Sequence, residues 1–159
     1  MLFRSRAELD LAEFVPAEAE FSAAGSGLRL DCRVEDELWV VAADPGQVAQ
    51  VIQNLVLNSI QATGGTGSIE ISLRNVEEVD TPSAARTKCY VEMTFADDGP
   101  GIPPEIQGRI FDPYFSTKGS SGLGLATVYS IVERHGGSMT LESSEDRGTT
   151  FNKIGRAHV

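Results

Sequence analysis

The alternation of apolar and polar residues divides the chain into short strands and helices. Period-two alternation with β-branched side chains predicts strands at residues 28–34, 37–44, 68–76, 89–96, 138–144 and 149–154, with a possible first strand at 9–15. Helical spacing of apolar residues predicts helices at 46–62, 105–110 and 123–135. Residues 77–88 are polar and contain a proline, which is typical of a loop between two strands.

The predicted helix at 46–62 has clear signals at both ends. Asp44 precedes Pro45, and this pair is typical of an N-cap followed by the first helical residue. The glycine-rich run 64–67 is a typical helix stop. Strand pairs mixed with three helices predict an α/β fold, a two-layer α+β sandwich with one mixed β-sheet and the helices packed on one face.

Composition narrows the possible functions. A net charge of −10 disfavours a nucleic-acid surface, which needs clustered Lys and Arg. The sequence has no apolar run of membrane-spanning length and no signal-peptide pattern, which predicts no membrane contact and a cytoplasmic location. Cys32 and Cys89 lie in separate strand-like runs and are interpreted as two buried thiols, and no Cys/His spacing indicates a metal site.

Two asparagines lie in line on the helix predicted at 46–62. Asn54, Asn58 and Gln61 share one face, although asparagine disfavours helix interiors because its amide competes for backbone hydrogen bonds. Polar stripes commonly face water, but solvated helix faces usually carry Glu, Lys or Arg. Amide oxygens suit Mg²⁺, which takes few protein ligands and retains several waters. The stripe is therefore a candidate metal-binding surface.

The segment DDGPG directly follows the strand predicted at 89–96. The Asp97 carboxylate can accept a hydrogen bond from an adenine amino group, whereas guanine offers a carbonyl oxygen at that place. Gly99 and Gly101 allow the backbone to approach a ring closely. Taken alone, the segment is equally an ordinary Asp/Gly/Pro turn.

A second glycine pair begins the helix predicted at 123–135. Gly122 and Gly124 lie in SGLGLATV, and the free amides of a helix N-terminus suit phosphate. Lys118, just upstream, offers a mobile positive charge for a phosphate, although a solvated lysine is the more common case. The run RGTTF, residues 147–151, places another glycine before a strand.

The order of these motifs resembles the catalytic, ATP-binding domain of sensor histidine kinases, in the wider family that includes type II topoisomerases and MutL. NLVLNSIQA is similar to the N box, DDGPG to the first glycine box, FDPYF to the F box, GLGL to the second glycine box and GTTF to the last. The resemblance implies a Bergerat-type ATP-binding fold. It is closest in appearance to the nitrogen-regulation and C4-dicarboxylate sensor type.

The resemblance implies ATP and Mg²⁺ as cofactors, with Asn58 as metal ligand and Asp97 as the residue that recognises adenine. Asn54 and Lys118 are implied as catalytic, and residues 102–121 as a mobile lid. The implied nucleotide contacts are Asn58, Asp97, Gly99, Gly101, Ile102, Lys118, Gly122, Leu123, Gly124, Leu125 and Thr149. The sequence departs from the family at Asp98, where Asn is usual, at Gln61, where many relatives have Lys, and at Ser120 and Ser121 before the second glycine box.

The residue at position 54 bears on the reaction. In ATP-hydrolysing relatives a glutamate stands there and activates water, but an amide cannot act as a general base. Asn54 therefore favours transfer to histidine over hydrolysis. His135, which closes a predicted helix before two glycines, is interpreted as a partner of the last carbonyls. The implied partners are an upstream dimerising helical domain that carries the phosphoacceptor histidine, and a response-regulator receiver domain.

Three alternatives stay open: an ATPase-type conformational switch, a non-catalytic nucleotide-binding module, and a serine kinase of the anti-sigma type. The termini resemble translated adapter sequence. We therefore expect residues 1–7 to be a non-native leader, 8–154 the domain and 153–159 a non-native tail.

Overall fold

A computed structural model describes residues 7–79, 87–99, 104–109, 112, 124–144, 148–152 and 154–158. The helices are α1 (Leu11–Ala23), α2 (Pro45–Thr63), α3 (Pro104–Gln107) and α4 (Gly124–Arg134). The strands are β1 (Ala7–Leu9), β2 (Arg29–Val34), β3 (Val40–Ala43), β4 (Ser68–Val79), β5 (Thr87–Asp97), β6 (Thr140–Ser144), β7 (Gly148–Asn152) and β8 (Ile154–His158).

The strands form one mixed sheet, as predicted. Its main order is β1-β3-β8-β5-β4-β2, and β7 pairs with both β5 and β6. The β2–β4 pair is parallel, whereas β4 and β5 form a long antiparallel pair that ends with Ile69 opposite Asp97. The DDGPG segment starts at Asp97, so it begins beside the first residues of β4.

Three helices form the second layer. Helix α2 packs against both α1 and α4, and it also contacts β5. Its buried side chains are those that the apolar spacing predicts, together with one serine: Val48, Val51, Ile52, Leu55, Val56 and Ser59. Opposite them, the core of the sheet contains Ile69, Ile71, Leu73, Val91, Met93 and Phe95. The α/β two-layer prediction is confirmed.

The ends of α2 also agree with the prediction. The Asp44 carboxylate caps the helix by accepting hydrogen bonds from the amides of Gly46, at 2.9 Å, and Gln47, at 3.3 Å. Gly64 ends the helix in the left-handed region, with φ of 69°. Local contacts therefore define both ends of the helix that carries the asparagine stripe.

The prediction of a first strand at 9–15 is wrong. Only Ala7–Leu9 is a strand, and residues 11–23 form helix α1 with Asp10 as its N-cap. Pro16 inside this segment disfavours a helix, but Leu11, Val15, Ala19 and Ala23 recur every four residues and are all buried. Burial of that apolar face against α2 outweighs the local effect of the proline.

Other predicted bounds shift by a few residues. Strand β4 extends through Val79 and β5 begins at Thr87, so the predicted loop at 77–88 is shorter than expected. Leu123 and Ile110, the predicted ends of two helices, lie outside the described residues.

Residues 154–158 also belong to the sheet. They form β8, which pairs with β3 and β5. Backbone pairing needs few particular side chains, so an extended segment that follows β7 can occupy this place whatever its origin. Among the described residues, no helix has the length and apolar character needed to cross a bilayer.

Candidate functional site

Asp97 lies at the end of β5, where the sheet meets α2. Its Oδ1 accepts a hydrogen bond from the Gly99 amide at 3.0 Å, and its Oδ2 accepts one from the Ser59 hydroxyl at 3.2 Å. Ser59 belongs to α2, so the second bond joins the first glycine motif to the asparagine helix. The structure thus brings together two motifs that are 38 residues apart in sequence.

Gly99 packs closely against both elements. A Cβ atom at this position would lie 3.1 Å from Asp97 Oδ1 and 3.4 Å from the Cβ of Ala62. Both distances are at the tight limit of side-chain packing, so a larger residue would crowd the carboxylate. This close approach is the physical reason for a glycine two residues after Asp97.

The asparagine helix also contacts the start of α4. The side-chain amide of Asn54 donates a hydrogen bond to the Gly124 carbonyl at 3.3 Å. Asn58 lies one turn further along the same face, next to Ser59 in sequence. Asn54, Asn58 and Ser59 lie within about 8 Å along the helix axis, given a rise of 1.5 Å per residue. One short stretch of α2 therefore contacts both predicted nucleotide motifs.

Asn58 has an unusual environment. Its amide nitrogen is buried and, among the described residues, has no hydrogen-bond partner. A buried donor without a partner costs about 1–3 kcal/mol. A half-turn about the terminal torsion of the side chain exchanges its nitrogen and oxygen, so the same position can also hold the oxygen. Such a group fits a site that a ligand completes.

Thr149 is placed by backbone register. In the antiparallel β5–β7 pair, Phe95 lies opposite Phe151 and Ala96 lies opposite Thr150. Thr149 precedes Thr150 in β7 and Asp97 follows Ala96 in β5, so each is the next residue in its strand after this pair. The last predicted motif therefore lies beside the end of β5.

Several predicted site residues lie outside the described residues: Gly101, Ile102, Lys118, Gly122, Leu123, Ser120 and Ser121, with Phe111 and Phe115 of the F box. Gly124 and Leu125 are described at the start of α4, where Leu125 packs against the core. Within the predicted lid, residues 102–121, the structure describes helix α3, the two residues after it and Asp112.

The Asp98 carboxylate has a different partner from that of Asp97. Its carboxylate accepts hydrogen bonds from the Ser68 amide at 3.0 Å and the Ser68 hydroxyl at 3.3 Å. It packs directly over Gly67, whose φ of 101° and missing side chain leave the space that the carboxylate fills. The hydrogen bond from the Ser68 backbone amide lowers the pKa of the Asp98 carboxyl. The Asp98 carboxylate therefore stabilises the turn that precedes β4.

This contact predicts a small pH effect on stability. Because the folded state lowers the pKa, Asp98 stabilises the fold above its ordinary pKa of 3.8, and this contribution is lost as the pH falls further. We expect Asp98→Asn to lower the urea midpoint slightly at pH 7 and to leave it unchanged at the lowest pH at which the protein stays folded. Asp36→Asn, in an exposed turn, is the control. A pH-independent difference for Asp98→Asn would contradict this explanation.

His135 is buried, with 3% of its surface exposed. Its Nδ1 lies 2.8 Å from the Ile131 carbonyl and its Nε2 accepts a hydrogen bond from the Asp44 amide at 3.1 Å. A ring that donates through Nδ1 and accepts through Nε2 is neutral. The predicted contact with the last carbonyls of α4 is confirmed, and the same ring also joins α4 to the start of α2.

Sequence reasoning missed Ser59. The available signal was a serine at a position of α2 where apolar spacing predicts burial. No group of three or more His, Cys, Asp or Glu residues within the described part of the chain forms a metal site. A metal ion at this site would therefore be bound by side-chain amide oxygens and by oxygens of a bound molecule.

The chain is similar to known proteins in both sequence and fold. Residues 43–154 match the family described as histidine kinase-, DNA gyrase B- and HSP90-like ATPase. The chain is 38% identical over 125 residues to the sensor histidine kinase ZraS of Escherichia coli (strain K12), which covers 78% of this chain and 24% of that protein. The chain therefore spans about a quarter of the length of that relative.

Solved structures show the same fold. The catalytic domain of histidine kinase ThkA is 30% identical, with a TM-score of 0.75, over 95% of this chain and 97% of that one. Full-length ShkA in complex with AMPPNP is 25% identical, with a TM-score of 0.79, over 99% of this chain and 32% of that one.

Proposed function

Since the chain belongs to the histidine kinase-, DNA gyrase B- and HSP90-like ATPase family, as an ATP-binding catalytic domain of the sensor histidine kinase type, we propose that it transfers the γ-phosphate of Mg-ATP to a histidine of a separate helical domain. The domain itself corresponds to residues 8–154 in this proposal. The observation that carries the proposal is the Ser59–Asp97 hydrogen bond, because it sets the adenine-recognising carboxylate beside the asparagine helix.

Each nucleotide part has a residue suited to it. The Asp97 carboxylate accepts a hydrogen bond from the adenine amino group, and the close packing at Gly99 leaves backbone next to the ring. Amides at the start of α4 hold phosphate, with Gly122, Leu123, Gly124 and Leu125 as the segment involved. Contacts from Gly101, Ile102, Lys118 and Thr149 remain predictions.

Asn58 is the residue that we propose as Mg²⁺ ligand. Its buried amide nitrogen, without a hydrogen-bond partner among the described residues, is the feature that fits this role. An amide that accepts with its oxygen toward a cation can also donate from its nitrogen to a ligand oxygen or a water. When bound, the ion would neutralise phosphate charge.

Asn54 favours transfer over hydrolysis. Its amide donates to the Gly124 carbonyl, so it holds the start of α4 against α2, and it has no basic group that could activate water. An imidazole nucleophile needs no such base, because its neutral nitrogen already carries a lone pair. The residues of this chain then act mainly by positioning and charge stabilisation.

The phosphoacceptor lies outside this domain in our proposal. His135 is buried and both of its ring nitrogens are engaged, so it is unsuited to attack a phosphate. The proposed donor of the acceptor histidine is an upstream helical domain that also dimerises. A response-regulator receiver domain would accept the phosphate afterwards on an aspartate.

The experiment follows the labelled γ-phosphate of ATP. We expect the chain to transfer label to the helical domain of its full-length gene when that domain is supplied separately. We expect release of free phosphate to be at least about 10-fold slower than transfer, because no group at position 54 activates water. Phosphoprotein and free phosphate are measured in the same reaction.

The variant Asn54→Glu tests the alternative of an ATPase-type switch. We expect it to raise phosphate release and to lower transfer, since it supplies a base but loses the donor to the Gly124 carbonyl. Gln50→Glu, on the exposed face of the same helix, is the matched control. Fast hydrolysis by the wild-type chain without any transfer would reject the kinase proposal in favour of the switch.

A further inference from the structure

Ser59 makes an unusual hydrogen bond for a helical hydroxyl. Serine and threonine inside helices commonly bond to the carbonyl of the residue four before. Ser22 and Thr63 do so here, donating to the carbonyls of Glu18, at 2.9 Å, and Ser59, at 2.8 Å. The Ser59 hydroxyl instead donates across to the sheet, to Asp97 Oδ2. Because Ser59 is 5% exposed, water competes little for this bond.

This bond fixes the orientation of the Asp97 carboxylate. The terminal torsion of an aspartate is broad, so one hydrogen bond leaves the group free to rotate. Here the Gly99 amide holds Oδ1 and the Ser59 hydroxyl holds Oδ2, and the plane of the carboxylate is set by both. A carboxylate has about four acceptor positions, so these bonds are compatible with a further bond from a ligand.

The hydroxyl hydrogen of Ser59 is used in the hydrogen bond to Asp97. A hydroxyl has one donor hydrogen, and the carboxylate takes it. Toward a ligand, Ser59 and Asp97 therefore present acceptors, which match an amino group and oppose a carbonyl oxygen. Together, the two residues select for an amino group at the 6-position of the purine more strongly than Asp97 would alone.

We propose that Ser59 is a positioning residue that sets the base selectivity of the site by holding the Asp97 carboxylate in the orientation that accepts the amino group of adenine. This role rests on the proposed nucleotide site. It assigns part of adenine recognition to the helix that carries Asn54 and Asn58, so base and metal recognition share one rigid element.

The test compares ATP with purine riboside triphosphate, which lacks the 6-amino group. Affinities are measured for the 159-residue chain without Mg²⁺, so that the metal site does not contribute. We expect the wild type to prefer ATP. In Ser59→Ala the ratio of the two affinities should fall about 10-fold, with the loss falling on ATP, since a hydrogen bond to a charged group contributes at least that much.

Two variants separate positioning from general stability. Ser59→Thr keeps the hydroxyl and should restore the ratio to within about 3-fold of wild type. Ser22→Ala removes a helical hydroxyl that bonds only locally and should leave the ratio unchanged. A variant that merely destabilises the fold weakens both nucleotides equally, which the ratio does not register.

The possible failures are distinct. If the wild type prefers ATP and Ser59→Ala has the same ratio, or loses both nucleotides equally, the role of Ser59 is overturned while the nucleotide site stands. If the wild type binds neither nucleotide, the proposed function fails and the role of Ser59 fails with it.

Discussion

Replacing Asp97 by asparagine is expected to lower the affinity for ATP by about 100-fold or more. The variant keeps the size of the side chain but removes the charge, and one of its two terminal atoms becomes a donor that opposes the adenine amino group. A hydrogen bond to a charged group contributes about 1.5–3 kcal/mol, and 100-fold corresponds to about 2.7 kcal/mol. The measurement is direct titration of the chain with ATP in the absence of Mg²⁺.

The neighbouring residue supplies the control. Asp98→Asn makes the same chemical change one position away, on a side chain that the structure directs to Ser68 and Gly67. We expect it to change ATP affinity by less than about 3-fold, which is under 1 kcal/mol. Equal losses in both variants would show that net charge near the turn matters, and not a specific contact of Asp97.

Local signals made the central helix predictable. The limits of α2 depend on Asp44 and Gly64, which act within a few residues, and its buried face follows from apolar spacing. The same holds for the contact of His135 with the Ile131 carbonyl, which lies four residues away on α4. Such features need no knowledge of the rest of the fold.

Long-range contacts were not predictable in the same way. Helix α1 contains Pro16, which disfavours a helix locally, and burial of its apolar face against α2 outweighs that effect. Strand β8 occupies its place in the sheet through backbone pairing, which leaves little trace in side-chain sequence. In both cases the deciding interaction is made with a distant element.

The features of the candidate site also divide into those that depend on local sequence and those that depend on long-range contacts. Asp97, Gly99 and the two asparagines were candidates because of their residue types and order, and this required only the sequence. The Asp98 carboxylate occupies the space that the missing side chain of Gly67 leaves. The partner of Ser59 lies 38 residues away in sequence. Residue spacing predicts neither contact. A motif therefore indicates which residue types are present, whereas the fold decides which partners two adjacent carboxylates have.

Asn58 combines two features that disfavour the nucleotide-free fold. Its amide nitrogen is buried without a hydrogen-bond partner among the described residues, and asparagine is also a weaker helix former than alanine. Both effects predict that Asn58→Ala stabilises the nucleotide-free chain by about 1 kcal/mol. Urea unfolding measures this change, with Gln50→Ala on the exposed face of α2 as the control for helix propensity.

The same variant should lose the effect of Mg²⁺ on nucleotide binding. We expect Mg²⁺ to strengthen ATP binding by the wild type about 10-fold or more and to leave binding by Asn58→Ala nearly unchanged, because the proposed protein ligand for the ion is missing. Without metal, the two proteins should bind ATP within about 3-fold of each other, since Asp97 and Ser59 are intact. A variant that is destabilised and keeps the full metal effect would show that the Asn58 amide serves the fold, and it would move the metal site elsewhere.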